Sequence, residues 1–275
     1  MAPDPLFAGH SEGYSRVVLV DRALGSVLTG LSVCEIAGGG TIDPHVHSFE
    51  EGFYLLSGSV IVEINGEAYL LNAGDYGVMK VGALHAWRNI GTSRVRWLQM
   101  HAPQPKPAGA ERDTFFKRGA KAPLSANRLD VNDRRGNLLG HFDETMIPPI
   151  SQRTNVAAGL EGVFLKWMID ENFGSIHHRM LFIEYQPGVS IGLHDHTFEE
   201  AYFLLSGEVK GVLDGQTYLA KPGDVLWTSV GCVHSFANVG DEPVRWLETF
   251  APIPPKEDVF RFMANWEKRA KELEG

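Results

Sequence analysis

Cysteine is nearly missing: Cys34 and Cys232 are the only two in 275 residues, and they form no CxxC pair. That excludes a disulfide framework and a thiolate zinc site, and it leaves both thiols as core residues. Nowhere is there a run of about 18 apolar residues, the length a membrane-spanning helix needs. The first ten residues, Met1 to His10, lack the charged start and apolar stretch of a secretory signal. Basic residues are outnumbered 25 to 34, and the net charge of −9 is spread along the chain with no basic stripe to follow a phosphate backbone. The expectation is a cytoplasmic protein with a small organic molecule as partner, and neither nucleic acid nor membrane.

What the chain does have is a fourteen-residue stretch that occurs twice. His45-Val-His47-Ser-Phe-Glu-Glu51-Gly-Phe-Tyr-Leu-Leu-Ser-Gly58 returns as His194-Asp-His196-Thr-Phe-Glu-Glu200-Ala-Tyr-Phe-Leu-Leu-Ser-Gly207. A further histidine follows each copy, His85 and His234, and every matched pair sits 149 positions apart. Two domains of one plan are therefore expected.

Around these stretches the pattern is short β-branched and aliphatic runs separated by turn residues at roughly eight-to-twelve-residue spacing, the mark of an antiparallel barrel or jelly roll. Asn65-Gly66 in the first copy and Asp214-Gly215 in the second read as tight hairpin turns, and Gly38-Gly-Gly40 reads as a turn into the first histidine pair. Pro103, Pro105 and Pro107 end the rhythm, and Glu111 to Lys117 reads as a short helix. The expected division is a barrel over 1–110, an interdomain arm over 111–155, a second barrel over 156–256 and a C-terminal helix over 257–275. In that helix Val259, Phe262, Met263, Trp266, Ala270 and Leu273 form an apolar stripe for a barrel wall or a second subunit, and a homodimer is expected.

Residues two apart on a strand face the same side, so His45 and His47 project together, as do Glu51 and Phe53. A barrel filled by side chains has no inexpensive place for a carboxylate and three imidazoles unless they share a cation. The candidate ligands are His45, His47, Glu51 and His85 in the first copy, and His194, His196, Glu200 and His234 in the second. Three imidazoles with one carboxylate suit Fe²⁺ or Mn²⁺ first, with Zn²⁺, Ni²⁺ and Co²⁺ also compatible, in a shell with open positions, up to two metals per chain. The same parity places Phe53 and Trp87, and Tyr202 and Phe236, as aromatic walls for a substrate. His178 and Arg179, in His177-His178-Arg179, have no polar counterpart in the first copy and are the candidate catalytic pair beside the second metal.

These residues resemble a known family. Gly39-(x5)-His45-x-His47-(x3)-Glu51-(x6)-Gly58 and Gly188-(x5)-His194-x-His196-(x3)-Glu200-(x6)-Gly207 are similar to the first cupin motif, and Gly74 to Asn89 and Gly223 to Asn238 to the second. The departure is at Lys80 and Ser229, where the family usually has a proline that shapes a turn and binds no metal. The resemblance implies an all-β bicupin of two tandem jelly-roll barrels. Its class includes oxalate decarboxylases, quercetin and gentisate dioxygenases and ureidoglycine aminohydrolases. The leading expectation is a metal-dependent oxygenase acting on a small aromatic or enol-type substrate. An O₂-independent hydrolase, decarboxylase or isomerase and a non-catalytic ligand-binding cupin are the alternatives.

Overall fold

The β-branched runs fold as strands because their side chains pack on a pleated, half-buried surface. The computed structural model describes residues 4–107, 109–132, 138–153, 162–255 and 259–274. In chain order the strands are β1 (Ser11–Val20), β2 (Gly30–His47), β3 (Glu50–Ser57), β4 (Ser59–Ile64), β5 (Glu67–Asn72), β6 (Asp75–Met79), β7 (His85–Arg88), β8 (Val95–Ala102), β9 (Thr114–Phe116), β10 (Asn127–Arg128) and β11 (Leu138–His141). The second copy supplies β12 (Val163–Ile169), β13 (Arg179–Tyr185), β14 (His194–Asp195), β15 (Glu199–Ser206), β16 (Val209–Leu213), β17 (Gln216–Ala220), β18 (Val225–Thr228), β19 (His234–Asn238), β20 (Val244–Ala251) and β21 (Arg261–Phe262), before the helix α1 (Met263–Glu274). The result is two tandem jelly-roll barrels.

The chain divides into two compact units, Met1–Met146 with Met168–His178, and Ile147–Trp167 with Arg179–Gly275. In the first, a curled sheet runs β10-β5-β4-β7-β2-β8-β3-β6-β11, with β1 and β9 also paired to β2. The 18-residue β2 pairs β8 through Gly30–Ile36 and β7 through Thr41–His45, so one strand serves both faces of the barrel. The turn expected at Gly38–Gly40 takes the form of an irregularity inside β2, with a left-handed φ of 75° at Gly39 and a register shift against β1 between Ile36 and Thr41. Glycine is needed there because a Cβ at Gly38 would collide with the Thr92 carbonyl oxygen, and one at Gly40 would press on Ile36 and the Ala37 carbonyl. In the second unit two sheets run β12-β13-β20-β15-β18 and β17-β16-β19-β14-β21.

Both expected hairpin turns have the left-handed backbone of a type I′ turn, with φ 51° at Asn65 and 93° at Gly66, and 44° at Asp214 and 78° at Gly215. The cores are aromatic. Trp87 stacks on Trp97 at 4.7 Å and meets the edge of Phe53 at 5.1 Å. In the second barrel Tyr202, Phe236, Trp246 and Tyr185 fill the same role.

Of the span expected as an arm, residues 133–137 and 154–155 lie outside the described residues, as does the stretch 156–161 where the second barrel was expected to begin. The rest of it up to Met146 belongs to the first unit. β9 pairs β2, β10 pairs β5 in parallel and β11 pairs β6. Where a helix was expected over Glu111 to Lys117, Thr114–Phe116 is a strand, because the edge of β2 from His45 to His47 offers unpaired backbone groups that it satisfies. Residues 257 and 258, the expected helix start, lie outside the described residues, and α1 runs from Met263. Val259 packs on the second core, whereas Trp266 and Leu273 are 61% and 72% exposed, so among the described residues no barrel wall covers that part of the stripe. No helix among the described residues is long and apolar enough to cross a membrane.

His178, expected beside the second metal, is instead part of the first unit, because Met168–His178 packs there. Its Nδ1 lies 2.7 Å from Glu50 Oε1. Glu50 also accepts the Ser175 hydroxyl and the backbone N–H groups of Ile176 and His177. Burial alone would raise the Glu50 carboxyl, but the contacts with His178 and Ser175 outweigh it and bring it down to about 2. Gly52, two residues on, lacks a side chain because a Cβ there would strike the His178 ring. Arg179 lies elsewhere, its guanidinium 5.1 Å above the Trp167 ring and 5.8 Å from that of Phe250.

Glu50→Ala is expected to destabilise the first unit by roughly 3–5 kcal/mol in urea unfolding, since it strands the buried partners of the lost carboxylate. Because the folded carboxyl is depressed below its ordinary value of 4.5, its contribution is complete above that pH and drains away as pH falls towards about 2. The wild-type protein should therefore lose more stability over that acid range than the variant does.

Candidate metal centres

Strand register assembles the first centre. His45 on β2 faces His85 at the start of β7, and Glu51 on β3 faces His101 on β8. The hairpin tip places the third imidazole, since Asn65 Oδ1 accepts from the Leu84 N–H at 3.0 Å and the Asn65 N–H donates to the Leu84 carbonyl at 2.7 Å. His45 Nδ1 lies 2.8 Å from the Asp43 carbonyl and His85 Nδ1 2.9 Å from that of Ala83. A carbonyl only accepts, so both rings carry their proton on Nδ1 and present Nε2 as a lone pair. His47 Nδ1 meets Thr114 Oγ1 at 2.9 Å while that hydroxyl donates to Asp113, which gives His47 the same tautomer.

The ligand nitrogens of His45, His47 and His85 lie within 4.8 Å of one another. Glu51 Oε2 approaches His47 Nε2 at 3.1 Å, a lone pair against a carboxylate. Among the described residues, His47 Nε2, His85 Nε2 and both Glu51 oxygens are buried without a hydrogen-bond partner. Such orphans are costly unless a cation fills the space between them. Burial pushes His45 well below its ordinary value, and the imidazoles of His85 and His47 add to the effect. Burial also brings His85 down to about 4. For Glu51 burial acts upwards, but His101 and His47 outweigh it and hold the carboxyl well below the usual range. Neutral imidazoles around an ionised carboxylate are the donor set of a divalent transition metal, and the residues fit one.

The second centre is built alike and finished differently. His194 on β14 faces His234 on β19, and Asp214 Oδ1 accepts from the Val233 N–H at 2.9 Å, the counterpart of the Asn65 contact. His194, His196 and His234 turn Nδ1 to the carbonyls of Gly192, Phe198 and Cys232 at 2.7, 2.9 and 2.9 Å. Here His196, Glu200 and His234 converge within 4.8 Å. His194 stands beside His234, ring centroids 4.3 Å apart. Glu200 Oε2 lies 2.6 Å from His196 Nε2 and also accepts the Tyr202 hydroxyl, which is 3.2 Å from His234 Nε2. Burial would raise Glu200, but His196 and His234 bring it down to about 2, whereas burial and the Glu200 charge push Glu248 well above the carboxylate range.

A cavity of about 510 Å³ opens onto the first centre, with His47 in its wall beside Arg16, Gln99, His101, Phe7 and Phe49. Phe53 and Trp87, expected to line a substrate pocket, are 0% and 1% exposed in the closed core. They do point inward as strand parity requires, but the inside of a filled barrel is packing. Tyr202 and Phe236 also belong to a core, 4.5 Å apart, though Tyr202 touches ligand atoms. Asn89, whose parity points to the metal side, instead ties the carbonyls of Ile36, Ala37 and Ser93 together. The cavity is more charged than the aromatic wall expected from sequence. Arg16 is held by Asp4 at 2.7 Å, and Lys106 by Glu111 at 3.2 Å. One signal for His101 was available, since its counterpart 149 positions on is Phe250. Arg16, on the N-terminal strand outside both motifs, carried none.

The cupin-domain family matches residues 32–101 and 181–250, just over half of the chain. The chain belongs to the cupin family. As a bicupin it is similar to the quercetin 2,3-dioxygenase of Bacillus subtilis, 26% identical over 272 residues that cover 85% of this chain and 78% of that protein. Two shorter matches, 32% and 40% identical over 72 and 62 residues, reach about half the length of the curated relatives concerned. Among solved structures, the salicylate 1,2-dioxygenase of Pseudoaminobacter salicylatoxidans, in adducts with gentisate, superposes with a TM-score of 0.70 at 13% identity, over 90% of this chain and 77% of its own. The oxalate decarboxylase of Lactobacillus farciminis, in a formate complex, superposes with a TM-score of 0.63 at 18% identity, over 94% and 86%. These structures share the fold.

Reconstitution with Mn²⁺ or Fe²⁺ is expected to raise the melting temperature, since a cation that binds only the folded chain adds to its stability. His85→Ala should lower the metal content measured by elemental analysis by about one equivalent per chain, because a missing ligand leaves the first set incomplete.

Proposed function

We propose that this bicupin is a metal-dependent oxygenase whose substrate is a small aromatic or enol-type carboxylate bound at the first barrel. One observation carries the reading: the cavity of about 510 Å³ has His47 of the ligand set and the Arg16 guanidinium in the same wall. A space of that size holds a ring-sized molecule and exceeds what a two-carbon dicarboxylate needs. Its lining combines charged groups, Arg16 among them, with the flat rings of Phe7 and Phe49. The likeness to quercetin and salicylate dioxygenases supports the same class of chemistry.

Bound at His45, His47, Glu51 and His85, Fe²⁺ or Mn²⁺ supplies a Lewis acid with open positions, able to bring O₂ and an oxygenated substrate together. The chain's own residues do the rest. Arg16 pairs with the substrate carboxylate through charge-assisted hydrogen bonds and sets which end of the ligand faces the ligand set. Gln99, whose Oε1 accepts from the Cys34 thiol at 3.1 Å, offers its Nε2 N–H to a ring oxygen. His101, whose Nε2 is 3.7 Å from Glu51 Oε2, is placed to take a hydroxyl proton as the substrate enters. Phe7 and Phe49 exclude water from the ring. Arg179, expected from sequence to act beside the second centre, stacks on Trp167 and Phe250 instead and takes no part in the proposed chemistry.

A second reading, O₂-independent decarboxylation of a small dicarboxylate, is supported by the same Arg16 anchor and by the likeness to oxalate decarboxylase. Oxygen-electrode measurements on metal-reconstituted protein with hydroxybenzoates, enols and oxalate separate the two. Uptake with ring or enol carboxylates is expected, and turnover of oxalate under strict anaerobiosis would replace the oxygenase with the decarboxylase. Arg16→Leu should raise KM for a carboxylate substrate by roughly 10-fold or more, the worth of a charged hydrogen bond, and change KM far less for an uncharged analogue.

A further inference from the structure

Among the positions at which the two copies differ, one brings a new oxygen atom to the ligand groups. Two residues beyond the glutamate, on the same inward face, the first barrel has Phe53 and the second Tyr202. Phe53 offers no ligand atom, and the Glu51 oxygens beside it have no hydrogen-bond partner among the described residues. Tyr202 brings its hydroxyl oxygen onto Glu200 Oε2 and to 3.2 Å from His234 Nε2, two of the three groups that converge in that barrel. The ring is 3% exposed and packed at 4.5 Å against Phe236, so strand, packing and register all hold the oxygen there. One phenol proton faces a carboxylate oxygen and an imidazole lone pair, and a central cation can bind all three atoms at once.

The surroundings carry more oxygen groups than those of the first centre. Glu248, opposite Tyr202 in the neighbouring strand, occupies the place of Gln99 in the first copy. Two carboxyl groups and a phenol therefore stand where the first barrel has one carboxylate, an amide and a phenyl ring. A donor set of oxygen atoms with negative charge favours a harder and more highly charged ion.

We propose that Tyr202 is a metal ligand, so that the second centre holds iron(III) through His196, Glu200, His234 and the Tyr202 phenolate, unlike the divalent centre of the first barrel. On binding, the phenol O–H bond breaks, its proton leaves to solvent and the oxygen pair forms the bond to iron. No electron is transferred.

Phenolate bound to iron(III) has a charge-transfer band in the visible and ring modes enhanced in resonance Raman, and neither depends on turnover. The His45→Ala protein, loaded with iron(III) at the second centre and measured for bound iron, should be coloured and show both signatures. Tyr202→Phe in that background should lose the band while iron remains bound, or lose band and iron together with an unchanged circular dichroism spectrum. Phe53→Tyr in the wild-type chain, a gain-of-signal test, should add a second band once the first centre is filled with iron(III). Iron bound at the second centre without a phenolate band, or a band that survives Tyr202→Phe, would overturn the proposal. A band removed equally by Tyr185→Phe, a core tyrosine away from the ligand atoms, would overturn it too.

Discussion

An ionised carboxylate surrounded by imidazole lone pairs cannot be left dry inside a barrel, and this constraint organises both halves of the molecule. In the first barrel the conflict is fully exposed: two Nε2 atoms and both Glu51 oxygens have no partner among the described residues, and every Nδ1 proton is already committed outward. Each outward bond fixes a ring, so the inward face is preorganised before any ion arrives. In the second barrel the Tyr202 hydroxyl donates to Glu200 and lies 3.2 Å from His234 Nε2. One plan, duplicated, thus yields two candidate metal centres whose surrounding groups differ.

The jelly roll provides this arrangement through register more than through loops. β2 carries two ligands, β3 the carboxylate and β7 the third imidazole, and antiparallel pairing puts His45 opposite His85. The Asn-Gly and Asp-Gly hairpins do a second task besides turning the chain. Their side-chain oxygens hold the backbone N–H just ahead of the third histidine in each copy, so turn chemistry far from the motif sets the depth of a ligand.

Much of this was legible in the sequence, for reasons specific to the residues. The barrels, the hairpins and the histidine sets follow from short-range rules, two-residue alternation and turn propensity, and the repeat supplies them twice. The packing partners were not legible. Parity gave the inward direction of Phe53 and Trp87 correctly, yet inward means core wherever neighbouring aromatics close the space, and only packing shows where a cavity survives. Gly38 and Gly40 look like a turn because glycine permits one, whereas they are glycine because other backbones press against them. Arg16 and His101 reach the first cavity from strands that no motif marks. His178 belongs with Glu50 because a segment of the second copy folds into the first unit, which alignment of the copies cannot reveal.

That borrowed segment has a consequence for the history of the chain. A duplicated gene can ordinarily be cut at the seam between its copies, and each half can drift or be lost. Here residues 168–178 complete the unit formed by the first copy and bury the glutamate next to its metal carboxylate. A cut at the seam would strip the first unit of these residues and leave Glu50 without the groups that meet its carboxylate.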